Sequence, residues 1–214
     1  MKTIISLAIF CGFSYAQVHL DMFDKYSAYG MVDAVEPDNH QIKSKAKEFM
    51  LAYPGDYVRQ FCAVFDHLYR NWNYKLDPNG KEYYRDASET IETLTGDCDD
   101  YAILMVTLLL ALDGDGRFVC VSGHAYPELY LGKDITAEQM DGLLNDISTY
   151  YSNKGNTAPV KSINYHNDSD GTYWLNMDYQ QWHPGGTFID SSPEAEHLVV
   201  YSSGKYRRAC LNSE

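Results

Sequence analysis

"TGDCDDYAILMVTLLLAL", residues 95–112, sets one cysteine among three aspartates and then runs into a long apolar stretch. Asp113-Gly114-Asp115-Gly116 closes that stretch with a tight turn. An apolar run of this length reads as a helix buried on every side. If the helix begins at Cys98, Asp97 is its N-cap, with a carboxylate that accepts from the backbone N–H groups of Asp99 and Asp100. Asp100 stands three places on, the spacing of a capping box, and Asp99 and Asp100 both suit the positive end of the helix dipole. On this reading backbone donors hold the carboxylates, which need not face the sulfur. Cys98 meets the same positive end, which favours a thiolate. Its own N–H has no intrahelical partner and can point at a reacting carbonyl oxygen. Gly96 lets another segment approach closely. A thiol so placed still needs a base.

The segments around this helix set its company. Residues 42–53 read as a helix stopped by Pro54-Gly55. Val58, Phe61, Phe65, Leu68 and Trp72 recur at steps of three and four, the stripe of a second helix. Cys62 and His67 lie beside that stripe and read as core residues. "DPNGKEY", 77–83, is a turn by its Pro, Asn and Gly content. After the buried helix, "RFVCVSG" and "HAYPELYLG" read as two strands, with Cys120 inside the first. Residues 135–152 read as a further helix and 153–172 as a polar loop. "YWLNMDY", "GTFID" and "HLVVYSS" read as short closing strands. Residues 17–40 read as an irregular lead-in. Helices first and strands later give an α+β domain with a largely antiparallel sheet.

The bulk numbers fit one domain, placed at 17–214. The chain has 214 residues, 45% hydrophobic and 14% aromatic, with nineteen tyrosines, which supplies ample core material. A formal net charge of −13 argues against nucleic acid as a partner, since that needs a basic face. Residues 1–16 have the three-part layout of a secretory signal peptide: Lys2, an apolar run from Ile4 to Phe13, and Ser14-Tyr15-Ala16 before Gln17. The run is too short for a permanent membrane helix. The mature protein is therefore expected to be secreted or periplasmic, with no membrane insertion. Four cysteines then remain, Cys62, Cys98, Cys120 and Cys210, with no CxxC pair and so no zinc-knuckle spacing. An oxidising compartment would allow one disulfide among Cys62, Cys120 and Cys210, and sequence does not choose the pair. "HNDSDG", 166–171, looks like the start of a calcium loop, but His166 opens it and Met177 stands where the closing glutamate belongs.

A resemblance supplies the base. "GDCDDYA" with its apolar helix, then "GR" and a strand, "GHAYPELYL" and "YWLNMD" resemble the transglutaminase-like superfamily of papain-fold thiol enzymes. That pattern has a cysteine in a G-x-C-x-[DE]-[FY]-A context, then H-A-[WY], then an aspartate after a W-x-x-x-D strand. Cys98, His124 and Asp178 fall on those places, and the likeness runs over about residues 58 to 180. "RNWNYK", 70–75, is similar to the family's upstream segment that ends in an aromatic. Two departures stand out: the long segment between His124 and Asp178, and Tyr126 where tryptophan is commoner.

The resemblance implies a papain/transglutaminase-like fold, with N-terminal helices, the nucleophile helix among them, packed on a C-terminal antiparallel sheet. It implies a catalytic triad of Cys98, His124 and Asp178 that attacks an amide of a protein or peptide substrate and passes through a thioester acyl-enzyme. No metal or organic cofactor is needed. A cysteine needs a base and the base an orienting partner, so the residue types suit the chemistry independently. Water would release the acid, or an amine would capture the acyl group as in cross-linking. The absence of accessory domains favours hydrolysis. Trp72 could offer its indole N–H to the oxyanion, although core packing is its stronger reading. A non-catalytic binding domain on the same fold is the alternative from another class.

Overall fold

A computed structural model describes residues 22–78, 81–156, 158–189 and 195–211. The expected signal peptide, 1–16, lies outside the described residues. Among the described residues no helix is long and apolar enough to cross a membrane.

Among the described residues six helices precede or interrupt an antiparallel sheet: α1 (residues 22–33), α2 (His40–Ala52), α3 (Tyr57–Asn71), α4 (Ala87–Thr93), α5 (Cys98–Ala111) and α6 (Ala137–Asn153). The strands are β1 (Asn73–Tyr74), β2 (Thr95–Gly96), β3 (Gly116–Val121), β4 (His124–Lys133), β5 (Tyr165–Asn167), β6 (Thr172–Asn176), β7 (Glu196–Tyr201) and β8 (Tyr206–Cys210). Strands β5-β6-β4-β3-β7-β8 form one sheet in that order, and every neighbouring pair in it is antiparallel. The α+β class with a C-terminal antiparallel sheet is what the sequence pattern indicates.

The quoted stretch is the centre of the molecule. From Asp99 to Leu109 every residue of α5 is buried. Such a helix cannot show an amphipathic stripe, because α2, α3 and α4 surround it on one side and β3 and β4 on the other. The face of the sheet toward α5 contributes Phe118, Leu129, Leu175 and Val200 to the main core. The opposite face carries a smaller apolar cluster of Val119, Tyr126, Phe188 and Val199. Beside that cluster lies a fully buried arginine. Arg117 donates from Nε to Glu128 at 2.6 Å and from Nη1 to Asp168 at 2.5 Å, and its guanidinium sits 4.3 Å from the Trp174 ring centre. Asp168, a carboxylate of the calcium-loop look-alike, is thus already committed to Arg117 and to Arg207.

Several local expectations are corrected. Residues 22–33 are helical, not irregular: Asp24, Ser27, Ala28, Met31 and Ala34 form a buried stripe. Two polar residues in that stripe hid it, and Asp24 is buried because Arg208 of β8 grips both its oxygens at 2.7 Å. β5 forms inside the expected 153–172 loop, whereas residues 186–189 of "GTFID" are not a strand. α4 and β8 carried no periodic signal; β8 buries only Ala209. No disulfide joins any two of Cys62, Cys98, Cys120 and Cys210. Cys62 is instead sealed in the core on α3, and Cys120 lies on β3 with its sulfur 3.9 Å from that of Met31.

Candidate active site

Cys98 occupies the first position of α5, and Asp97 caps the helix. The capping box forms, the Asp97 N–H donating to Asp100 Oδ2 at 3.3 Å. Asp100 is held further by the Arg85 N–H at 2.9 Å and by the Arg85 guanidinium. Gly96 is required by this arrangement, since a Cβ there would collide with the Asp100 carboxylate. The close approach expected at Gly96 is thus made by the helix's own first turn. Carboxylates of Asp77, Asp97 and Asp100 converge nearby, and Arg85 already supplies a cation between Asp77 and Asp100.

His124 opens β4 because a two-residue turn, Ser122-Gly123, joins it to β3. Gly123 takes φ +75°, the left-handed region, which glycine enters without a steric penalty. The pairing of Glu128 with Asn176 continues by the Met177 N–H to Pro127 carbonyl bond at 3.0 Å. This register sets Asp178 across from Tyr126 and diagonal to His124, within reach of a long side chain. His124 Nε2 and Asp178 Oδ2 are 2.9 Å apart, with the aspartate almost wholly buried. Asn176 steadies the aspartate: its Oδ1 accepts from the Asp178 N–H at 2.9 Å, and its Nδ2 donates to the Gly186 carbonyl at the same distance. Tyr126 stacks on the His124 ring, and Tyr179 meets it edge-on, each with centroids 6.0 Å apart.

Cys98 and His124 line one cavity of about 300 Å³, and the Ala125 N–H points at the Cys98 sulfur. The three residues singled out in the sequence are therefore brought to one place, through the His124–Asp178 contact and the strand residue next to His124. A larger cavity, of about 410 Å³ between Asp66, Arg70 and Trp182, shares no lining residue with this one. Trp72 packs edge-on against Tyr101 and is not among the residues that line the Cys98 cavity.

The electrostatics depart from the expectation of a dipole-stabilised thiolate. Burial pushes the Cys98 thiol up to about 11, against the opposing Ala125 N–H, and the Asp99 and Asp97 charges add to the rise. Asp99 is not turned away from the sulfur; it lines the same cavity. Tyr74 is a further residue of the cavity that the sequence reading did not assign. The parallel pairing of β1 with β2 sets it beside Gly96, and its sequence signal was the aromatic end of "RNWNYK".

Residues 43–178 match the model of the transglutaminase-like superfamily. A crystal structure of a proposed cysteine protease from Cytophaga hutchinsonii aligns with a TM-score of 0.38 at 17% identity, over 86% of this chain. The chain spans about half of that protein, 54% of its length. No curated protein matches the sequence.

Proposed function

This chain belongs to the transglutaminase-like superfamily, and on that premise we propose that it is a secreted or periplasmic thiol enzyme that hydrolyses amide bonds of a protein or peptide substrate. The observation that carries the proposal is the His124–Asp178 contact at 2.9 Å, made beside the Ala125 N–H that reaches the Cys98 sulfur. With Nε2–H given to Asp178, the His124 ring keeps Nδ1 to accept a proton. His124 takes the proton of Cys98 as the sulfur attacks the substrate carbonyl. The Cys98 N–H at the helix start faces the developing oxyanion. Collapse expels the amine, which leaves with the proton from the imidazolium, and a thioester remains on Cys98. Water then adds to the thioester, gives its proton to His124, and the acid departs as the thiol is restored. Asp178 fixes the tautomer and stabilises the imidazolium in both halves. Cleavage before Gln17 would deliver the enzyme outside the cytoplasm, which the intact mass of protein from its host tests.

The deciding experiment is turnover of a diverse peptide library, followed by mass spectrometry with and without an added primary amine. Cys98→Ala should abolish turnover. His124→Ala should cost on the order of 10² to 10⁴ in rate. Because the groups act together, the double variant should be little worse than Cys98→Ala alone. Retention of most activity by a normally melting Cys98→Ala protein would end the proposal. Amine incorporation that outruns acid release would replace hydrolysis by acyl transfer.

A further inference from the structure

The cavity beside Cys98 has an uneven chemistry. Its walls include Phe23, Tyr74 and Leu76, each more than half exposed, while its acidic part is made by Glu82, Asp97 and Asp99. Among the described residues no lysine or arginine lines it. Arg85, the adjacent cation, is spent on Asp100 and Asp77. Asp99 is the decisive residue. It is 3% exposed, yet it borders the cavity, and among the described residues its Oδ1 accepts from no N–H or hydroxyl group; its near neighbours are other carboxyls. The Asp97 Oδ1 is likewise buried without a partner. Buried carboxylate oxygens without donors are costly, so the cavity is built to receive something that donates. Burial, together with the Asp97 and Glu82 carboxyls in hydrogen-bonding range, raises the Asp99 carboxyl far above the usual carboxylate range. Three like charges so close need either a proton or a cation among them.

We propose that this cavity is a recognition subsite for a lysine or arginine side chain that flanks the scissile amide of the peptide substrate. The inference rests on the reading of Cys98 as the nucleophile and names the substrate class of that site. The apolar walls fit the methylene stem of such a side chain, and the carboxylates its charged head. Tyr74 and Tyr84 also line the cavity, and aromatic rings favour a nearby cation. The cation is bound and not consumed: a carboxylate cluster holds an amine in its protonated form, which has no lone pair to attack the thioester.

The first test uses paired peptides that differ only in charge, lysine against norleucine and arginine against citrulline, at each position around the cleaved bond. The charged member should have a kcat/KM on the order of 10-fold higher at one position, the scale of one charge-assisted hydrogen bond. Asp99→Asn should remove most of that preference, and Glu82→Gln, an exposed position where folding is not at stake, should reduce it a few-fold. A second test needs no substrate. Trimethylammonium-ethyl and sulfonato-ethyl methanethiosulfonates of similar size are compared for their rates at Cys98, read by peptide mapping in EDTA. The cationic reagent should win by a ratio well above that of a small free thiol, and both variants should shrink the ratio. Because both reagents meet the same sulfur, the ratio is insensitive to changes in its ionisation.

A parent enzyme that cleaves peptides without charge preference overturns this inference and leaves the thiol-enzyme reading intact. A parent that cleaves nothing overturns both. Saturable calcium binding that disappears in Asp99→Asn and Glu82→Gln would assign the cluster to a divalent ion, and the proposal would then be wrong.

Discussion

A thiol held near 11 makes a prediction that separates two kinds of resting enzyme. Many reactive cysteines rest as a thiolate beside an imidazolium, and their labelling rate is then flat down to mildly acidic pH. Here burial and two carboxylates oppose the positive end of α5 and the Ala125 N–H, and the sum favours the neutral thiol. The shift is upward from an ordinary 9.0. About two units mean roughly 100-fold less thiolate than an ordinary thiol at any pH below 9. The more basic thiolate is the better nucleophile, and a Brønsted slope near 0.4–0.5 returns about 6- to 10-fold of that loss. Cys98 should therefore react with a small neutral disulfide roughly 10- to 16-fold more slowly than a model thiol. Its rate should climb with a slope near one in log rate against pH through pH 9. The assay is stopped-flow reaction with 4,4′-dithiodipyridine from pH 5 to 10, with Cys98 occupancy read by peptide mapping. In His124→Ala the profile should move little, because the imidazole acts on the proton only as the substrate is attacked. A fast plateau between pH 5 and 7 that vanishes in His124→Ala would refute the reasoning and restore a resting ion pair.

Other outcomes follow from the geometry. Asp178→Asn, which keeps the shape but can impose the wrong imidazole tautomer, should cost on the order of 10⁴ in turnover, the loss known for the serine-protease triad, with little change in melting. Arg117→Leu would leave Glu128 buried against only His166, and Asp168 against only Arg207, and should lower unfolding stability by about 3–5 kcal/mol in chemical denaturation. Gly123→Ala meets no neighbouring atom, so its cost of about 1–2 kcal/mol should come from the left-handed backbone alone, and kcat should fall with it as His124 shifts. Stability should fall as pH rises from 9 to 12. The Cys98, Cys120 and Tyr57 groups hold their protons to about 11, 12 and 12 in the fold but ionise near 9.0, 9.0 and 10.0 when unfolded, so the folded state binds more protons in that window. Thermal melts across that range check it.

What could be read from the sequence, and what could not, divides by range of interaction. α5 was legible because its signal is local: a cap, a capping box and an apolar run, all within residues 97–111. The hairpin before His124 was legible for the same reason, since Ser122-Gly123 lies between two apolar runs. α1 was not, because Asp24 in its buried stripe makes sense only once Arg208, 184 residues away, is known to face it. β8 was hidden for the converse reason, as its two arginines carry the pairing to Asp24 and Asp168 and leave no alternation of apolar residues.

The orientation of Asp99 shows why site chemistry lags behind site location. Residue types and order sufficed to bring Cys98, His124 and Asp178 to attention, and the β4–β6 register supplies the diagonal that joins the last two. The helix-start argument then treated Asp99 and Asp100 alike, as two acids at a positive helix end. They part company through residues that do not adjoin them. Asp100 points toward Arg85 and is neutralised; Asp99 points toward Glu82 and the cavity, and among the described residues finds no cation. Asp99 is the acid left to meet an incoming charge. A bound cation would offset the field of the neighbouring Asp97 at the sulfur, so a basic substrate side chain would ease deprotonation of the nucleophile as it docks. Charge preference should accordingly appear in kcat as well as in KM, and an effect confined to KM would separate the recognition of the cation from the ionisation of the thiol.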